Sequence, residues 1–340
     1  MRAVGEFEAA VAARDPQATG DSFDAVRRSF GHAGPDEVRE GGPRLAGLLT
    51  AAPDGIRAVI AVIVGACAER GADPGLCAPG VFAGMRDVLE DVLEFCALWE
   101  ETGGGKFPDP ESEEHAQGPD DDVVARVGFP AAVAWWTLPQ WRMAAFAMLN
   151  EEAGRQQVGC RRELLALLAR IEWASEESFK GLCYALRVLD GEPVVVLHRE
   201  SRAGFLVRIS GIGDNFQLHT LLADALVGGG HLPGDAPSAD AVAVCRDVAG
   251  QVLTYGSFNL VGADGGWIWN EGDPSDIPVV GGEGGRGGVR VLVLDPEPYA
   301  RSWPAGRYFP AMTGGLVLER VLGRDETEGW FSYVSPAQAR

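Results

Sequence analysis

The chain has 340 residues, 46% of them hydrophobic, and a formal net charge of −20. That length suits about two domains of ordinary size with ample core. The charge excludes nucleic acid and an anionic membrane as expected partners, because both repel such a chain.

Lys106 and Lys180 are the only lysines, so nearly all positive charge is Arg. Ala, Gly, Val and Arg are all abundant throughout, which reads as a coding bias and not as a set of phosphate-binding forks. The opening stretch MRAVGEFEAAVAARD is an amphipathic helix start with acids inside it, unlike the apolar core of a secretory signal. The apolar run Ala58–Ala68 falls short of the roughly 20 residues of a membrane span and predicts a buried helix. The six cysteines form no C-x-x-C pair and sit in apolar patterns. Reduced core thiols, a cytosolic compartment and no zinc site are expected.

Residues 1–101 read as all-helical. The clearest case is residues 81–100, where Phe82, Met85, Leu89, Val92, Leu93, Cys96 and Trp99 recur at helical spacing. Arg86, Asp87, Glu90, Asp91 and Glu94 fall largely on the other face, and Pro79 is placed at the helix entry. Residues 102–122 are rich in Gly, Pro and acid and predict a mobile linker, with His115 solvated within it.

Residues 123–340 predict an α+β domain, with helices over 127–190 and a sheet with inserted helices over 193–322. Pro139 is expected to break the first of these helices beside a core cluster of Trp135, Trp136 and Trp141. Past Gly191 the period becomes two. PVVVLHRE and AGFLVRIS predict a hairpin with Phe205, Val207 and Ile209 on one face. VLTYGSFNLV, GWIWN, VRVLVLDP and GLVLERVL continue as strands. The fold class is therefore α+β: a helical N-terminal region, then a mostly antiparallel sheet with inserted helices.

Three patches carry candidate chemistry. In ISGIGDNFQLHT a strand runs into Gly-x-Gly and a helix. Asp214 with Gln217 three residues on has the spacing of a capping box, so the carboxylate takes the first amides and repels phosphate. Phe216 stands where a dinucleotide fingerprint needs its third glycine. Asn215 and His219 share one side of that helix. If this side faced a cleft, His219 would serve as a general base; the plainer expectation is a half-exposed histidine flanking the core. In WIWNEGDPSDIP, Trp267 and Trp269 share a face beside Asn270, Glu271, Asp273 and Asp276. Aromatic platforms next to carboxylates suit a sugar, an amine or a cationic peptide group, although ordinary turn and core chemistry uses the same residues. The third patch, Asp295–Met312, reads as a long irregular loop bearing Tyr299, Arg301 and Trp303. The run Gly281–Gly288 is expected to be a hairpin loop and not a phosphate nest, because a strand follows it.

The expectation is a soluble cytosolic binding or accessory protein, with an aromatic, acidic cleft for a small polar ligand or a peptide in its C-terminal α+β domain. The alternative is an enzyme independent of metal and nucleotide, acting on a sugar-like or peptide-like substrate. There Glu271 or Asp273 is acid/base, His219 assists and Arg301 fixes an anionic group. A third reading, a structural interaction protein, makes all three patches core and turn. No cofactor is implied.

The capping assignment predicts that Asp214→Ala lowers stability by about 1 kcal/mol, read as a drop in the denaturation midpoint.

Overall fold

The computed structural model describes residues 2–112, 118–281 and 288–338. His115 and residues 282–287 of the glycine-rich run lie outside them. The chain divides into two compact units, Met1–Leu186 and Arg187–Arg340. The architecture is α+β, with the helices first and a mostly antiparallel sheet after them.

The first unit is helical: α1 (Arg2–Ala13), α2 (Pro16–Phe30), α3 (Pro35–Ala46), α4 (Asp54–Glu69), α5 (Pro74–Glu101), α6 (Asp121–Val127), α7 (Phe129–Leu149), α8 (Glu152–Gln156), α9 (Arg161–Ser175) and α10 (Lys180–Arg187), which reaches the division. The expected grouping of helices 127–190 with the sheet is corrected: α7 packs on α4 and α5, and α9 on α5. The reason is apolar area. α7 buries Ala131, Trp135, Trp136, Trp141 and Met148 along its length and needs helices on more than one side.

Two proline expectations also change. α5 starts at Pro74, capped by Asp73, whose carboxylate accepts from the Gly75 amide at 2.8 Å, so Pro79 lies inside the helix. Pro139 lies inside an unbroken α7. Tertiary burial of both helices outweighs the lost backbone bond. The residues that follow α5 are not a free linker either. Phe107 packs on Trp135 with ring centroids 5.2 Å apart, and the Trp135 indole N–H donates to the Pro108 carbonyl at 2.9 Å. The half-buried Phe107 and the Pro108 carbonyl anchor the start of this stretch to α7.

The second unit is built on β1 (Glu192–His198), β2 (Ala203–Ser210), β3 (Val252–Tyr255), β4 (Asn259–Gly262), β5 (Val279–Val280), β6 (Val289–Asp295), β7 (Ser302–Ala305) and β8 (Gly315–Val321), with α11 (Asn215–Ala223), α12 (Ala239–Arg246) and α13 (Arg324–Phe331). The main sheet runs β4-β6-β1-β2-β8, with β5 also on β6. β1 and β2 form the expected hairpin, pairing Val196 with Phe205. Next to it β1 and β6 run parallel, pairing His198 with Leu294.

β1 is buried on both faces, as its continuous apolar run requires. Val194 and Val196 join Phe205, Val207, Ile209 and Leu222 of α11 in the larger core. Val195 and Leu197 join the smaller core beneath Phe331 of α13. Three strand readings are corrected. GWIWN forms no strand, only a bridge from Trp267 to Val261. VLTYGSFNLV is divided at Gly256–Phe258 into β3 and β4, which belong to different sheets. The loop expected over Asp295–Met312 contains β7, which pairs with β3.

Gly80 sits where α5 meets the end of α3: a Cβ there would overlap the Ala46 backbone carbonyl. Gly80→Ala is expected to destabilise the first unit by about 1–3 kcal/mol, measured by denaturant titration.

Candidate functional site

The junction into α11 is closed by its own cap. Asp214 Oδ1 accepts from the Gln217 amide at 2.8 Å, and Gln217 Oε1 accepts from the Gly213 amide at 3.0 Å. The next two amides are also taken: Asn215 N–H donates to the Gly272 carbonyl and Phe216 N–H to that of Asn270. No first-turn donor among these is left for an anion.

α11 is buried nearly all round. His219 is fully buried, stacked on Phe258 at 4.5 Å and edge-on to Trp303 at 4.8 Å. Its Nε2 accepts from the Ser257 amide at 3.1 Å. Burial, reinforced by the nearby Arg301 guanidinium, pushes its pKa down to about 3. The ring is therefore neutral and set in the core. The general-base role expected of His219 is corrected, because a base must reach its proton and this one is walled in.

Asp273 is buried as well. Its Oδ1 caps a short 3-10 turn by accepting from the Ser275 amide at 2.9 Å, and its other oxygen faces Arg187 at 3.6 Å. Asp276 accepts from the Asp273 amide, and burial pushes its pKa up. Glu271 is exposed. Asn215 donates through Nδ2 to the Trp269 carbonyl at 2.9 Å and to that of Asp273 at 3.3 Å; Asn270 is buried beside it. Trp267 and Trp269 have ring centroids 6.5 Å apart, with Trp269 56% exposed. Tyr299 is exposed 5.9 Å from the Arg301 guanidinium. Arg301 is engaged by Glu297 at 3.3 Å and by the Phe258 carbonyl at 2.7 Å, so the expected anion-fixing role is corrected. Trp303 is buried. The structure thus brings Asn215, His219, Asn270 and Trp303 together inside the core and leaves the Trp267/Trp269 pair outside it.

A cleft of about 540 Å³ lies elsewhere in the second unit, at the carboxyl ends of the parallel strands. Loops leaving parallel strands at that end diverge and leave a crevice. His198 closes β1 and Asp295 closes β6, and both line the cleft with Glu200 and Glu297. One wall is Pro233–Ser238, including Asp235; the other is Leu253–Phe258, with Tyr255 exposed. No lysine or arginine lines it among the described residues. Two of its acids are answered from behind: Asp295 Oδ1 accepts from Arg199 Nε at 2.6 Å, and Glu297 from Arg301. Glu200 and Asp235 are exposed. His198 Nδ1 meets Ser201 Oγ at 2.8 Å, and burial lowers its pKa against the opposing pull of Glu200 and Asp295.

None of the individual candidate site residues lines this cleft, although the third patch enters it with Asp295, Pro296 and Glu297, and two of the candidates support its wall. His219 holds the Ser257 amide, and Arg301 holds Glu297 and the Phe258 carbonyl. A Cβ at Gly256 would overlap the Glu297 carboxylate and push that side chain aside. These lining residues carried one signal, a charged cluster at the end of each apolar strand: HRE beginning on the last residue of β1 and DPE on the last residue of β6. Among the described residues no group of three or more His, Cys, Asp or Glu is arranged to hold a metal, and no helix is long and apolar enough to cross a membrane. Comparison with protein-family models, curated proteins and solved structures finds no match for this chain.

A histidine whose folded pKa is about 3 against 6.5 ordinarily binds fewer protons folded than unfolded across that interval. Its contribution is complete above about pH 6.5 and is lost as pH falls toward 3, at about 1.4 kcal/mol per pH unit where the slope is full. Calorimetric unfolding against pH is expected to show this slope, and His219→Phe to flatten it.

Proposed function

We propose that the protein binds a cationic small molecule or a basic peptide side chain in the acidic cleft of its second unit. The observation that carries this reading is the lining: Glu200, Asp235, Asp295 and Glu297 face one space of about 540 Å³ with no lysine or arginine among the described residues on its walls. Glu200 and Asp235 supply charge at the mouth, where it attracts a ligand from solution. Tyr255 and Leu253, both exposed, offer an aromatic face and apolar contact for the stem of an amine or guanidinium. Ser257 and Thr254 add hydroxyl groups that orient a polar ligand. The net charge of −20 favours the same class of ligand at long range.

Binding, and not acid/base catalysis, is the better-supported role. The three residues proposed for catalysis occupy a core position, a turn cap and an exposed site apart from the cleft lining.

Calorimetric titration of the full chain with putrescine, arginine amide and glucose tests the reading. The two cations are expected to bind, more weakly as salt rises, and glucose not to bind. Glu200→Gln with Asp235→Asn is expected to weaken cation binding roughly tenfold or more, since a hydrogen bond to a charged group contributes about 1.5–3 kcal/mol. Binding of glucose alone, or cation binding unchanged in the double variant, overturns the assignment.

A further inference from the structure

Four buried side-chain polar atoms have no hydrogen-bond partner among the described protein atoms and belong to residues in one run of contacts: Asn215 Oδ1, His219 Nδ1, Asn270 Oδ1 and Trp303 Nε1. Asn215 and His219 stand one turn apart on α11. The Phe216 amide between them donates to the Asn270 carbonyl, and the Phe216 ring packs on Trp303 at 5.4 Å. Trp303 in turn packs on His219.

Their protonation is determined. His219 Nε2 accepts from Ser257, so the neutral ring carries its proton on Nδ1. The Trp303 indole is a donor only. Asn215 spends its amide nitrogen on the Trp269 and Asp273 carbonyls, leaving Oδ1 as an acceptor. The set is therefore two donors and two acceptors. An anion is refused by the acceptors and a cation by the donors. A water molecule accepts two hydrogen bonds and donates two, which matches the set.

We propose that Asn215, His219, Asn270 and Trp303 form an internal water-binding site, one water or a short chain, which joins α11 to β7 and to the 269–273 loop. Unpaired, each buried group leaves its desolvation unrecovered, and four such losses weigh heavily against the marginal stability of a domain. Water recovers most of that. The site is distinct from the acidic cleft and does not depend on its ligand.

Water–protein cross-relaxation measured by NMR on the full-length, nitrogen-15-labelled chain tests this without a variant. Cross-peaks from long-lived water to both the Trp303 Nε1 proton and the His219 Nδ1 proton are expected, with imidazole nitrogen shifts of the Nδ1–H tautomer. Absence of a water cross-peak at either proton overturns the shared site. So does an Nε2–H tautomer, or a crystal structure in which an Asn215 or Asn270 amide oxygen accepts directly from the Trp303 or His219 donor.

Discussion

The second unit is organised around a cost: a helix carrying Asn, Gln, His and Thr is sunk into an apolar core. α11 is buried almost all round, so its polar side chains must find partners within the protein. They do so by reaching segments far off in the chain. Gln217 takes the Cys245 carbonyl at 2.7 Å, Asn215 the Trp269 carbonyl, and His219 the Ser257 amide. The bonds tie α12 and two separate loops to one helix. Loops that would otherwise be the loosest parts of the unit become parts of its core.

That arrangement explains why the cleft can be both irregular and defined. Its walls are loops, and loops carry most binding groups because their side chains face solvent. The wall at Leu253–Phe258 is held from behind by His219 and by Arg301, neither of which lines the cleft. Arg199 and Arg301 play a second part by partly neutralising Asp295 and Glu297. Without them, acids packed at the ends of two neighbouring strands would repel one another. Glu200 and Asp235, toward solvent, carry the charge at the mouth.

Much of the fold was legible in the residues themselves. The hydrophobic spacing of α5, the β1–β2 hairpin with Phe205, Val207 and Ile209 turned inward, and the Asp214 cap are all local patterns. The prolines misled because local chemistry predicts a break, whereas α5 and α7 are held by burial along their whole length. The site was the least legible part. His219 and the tryptophans stood out for their residue type, yet Trp303 and His219 turned inward while Trp269 stayed outside.

Periodicity, capping and charge, all set by neighbours within a few residues, determined which segments are helix or strand and which faces are apolar. The tertiary structure decided the rest. It set β6 parallel to β1 across nearly a hundred residues of chain, brought His198 and Asp295 to one end of the sheet, and closed the core over His219. Pairing of strands so distant depends on which complementary surfaces meet, and no local spacing in the sequence records that.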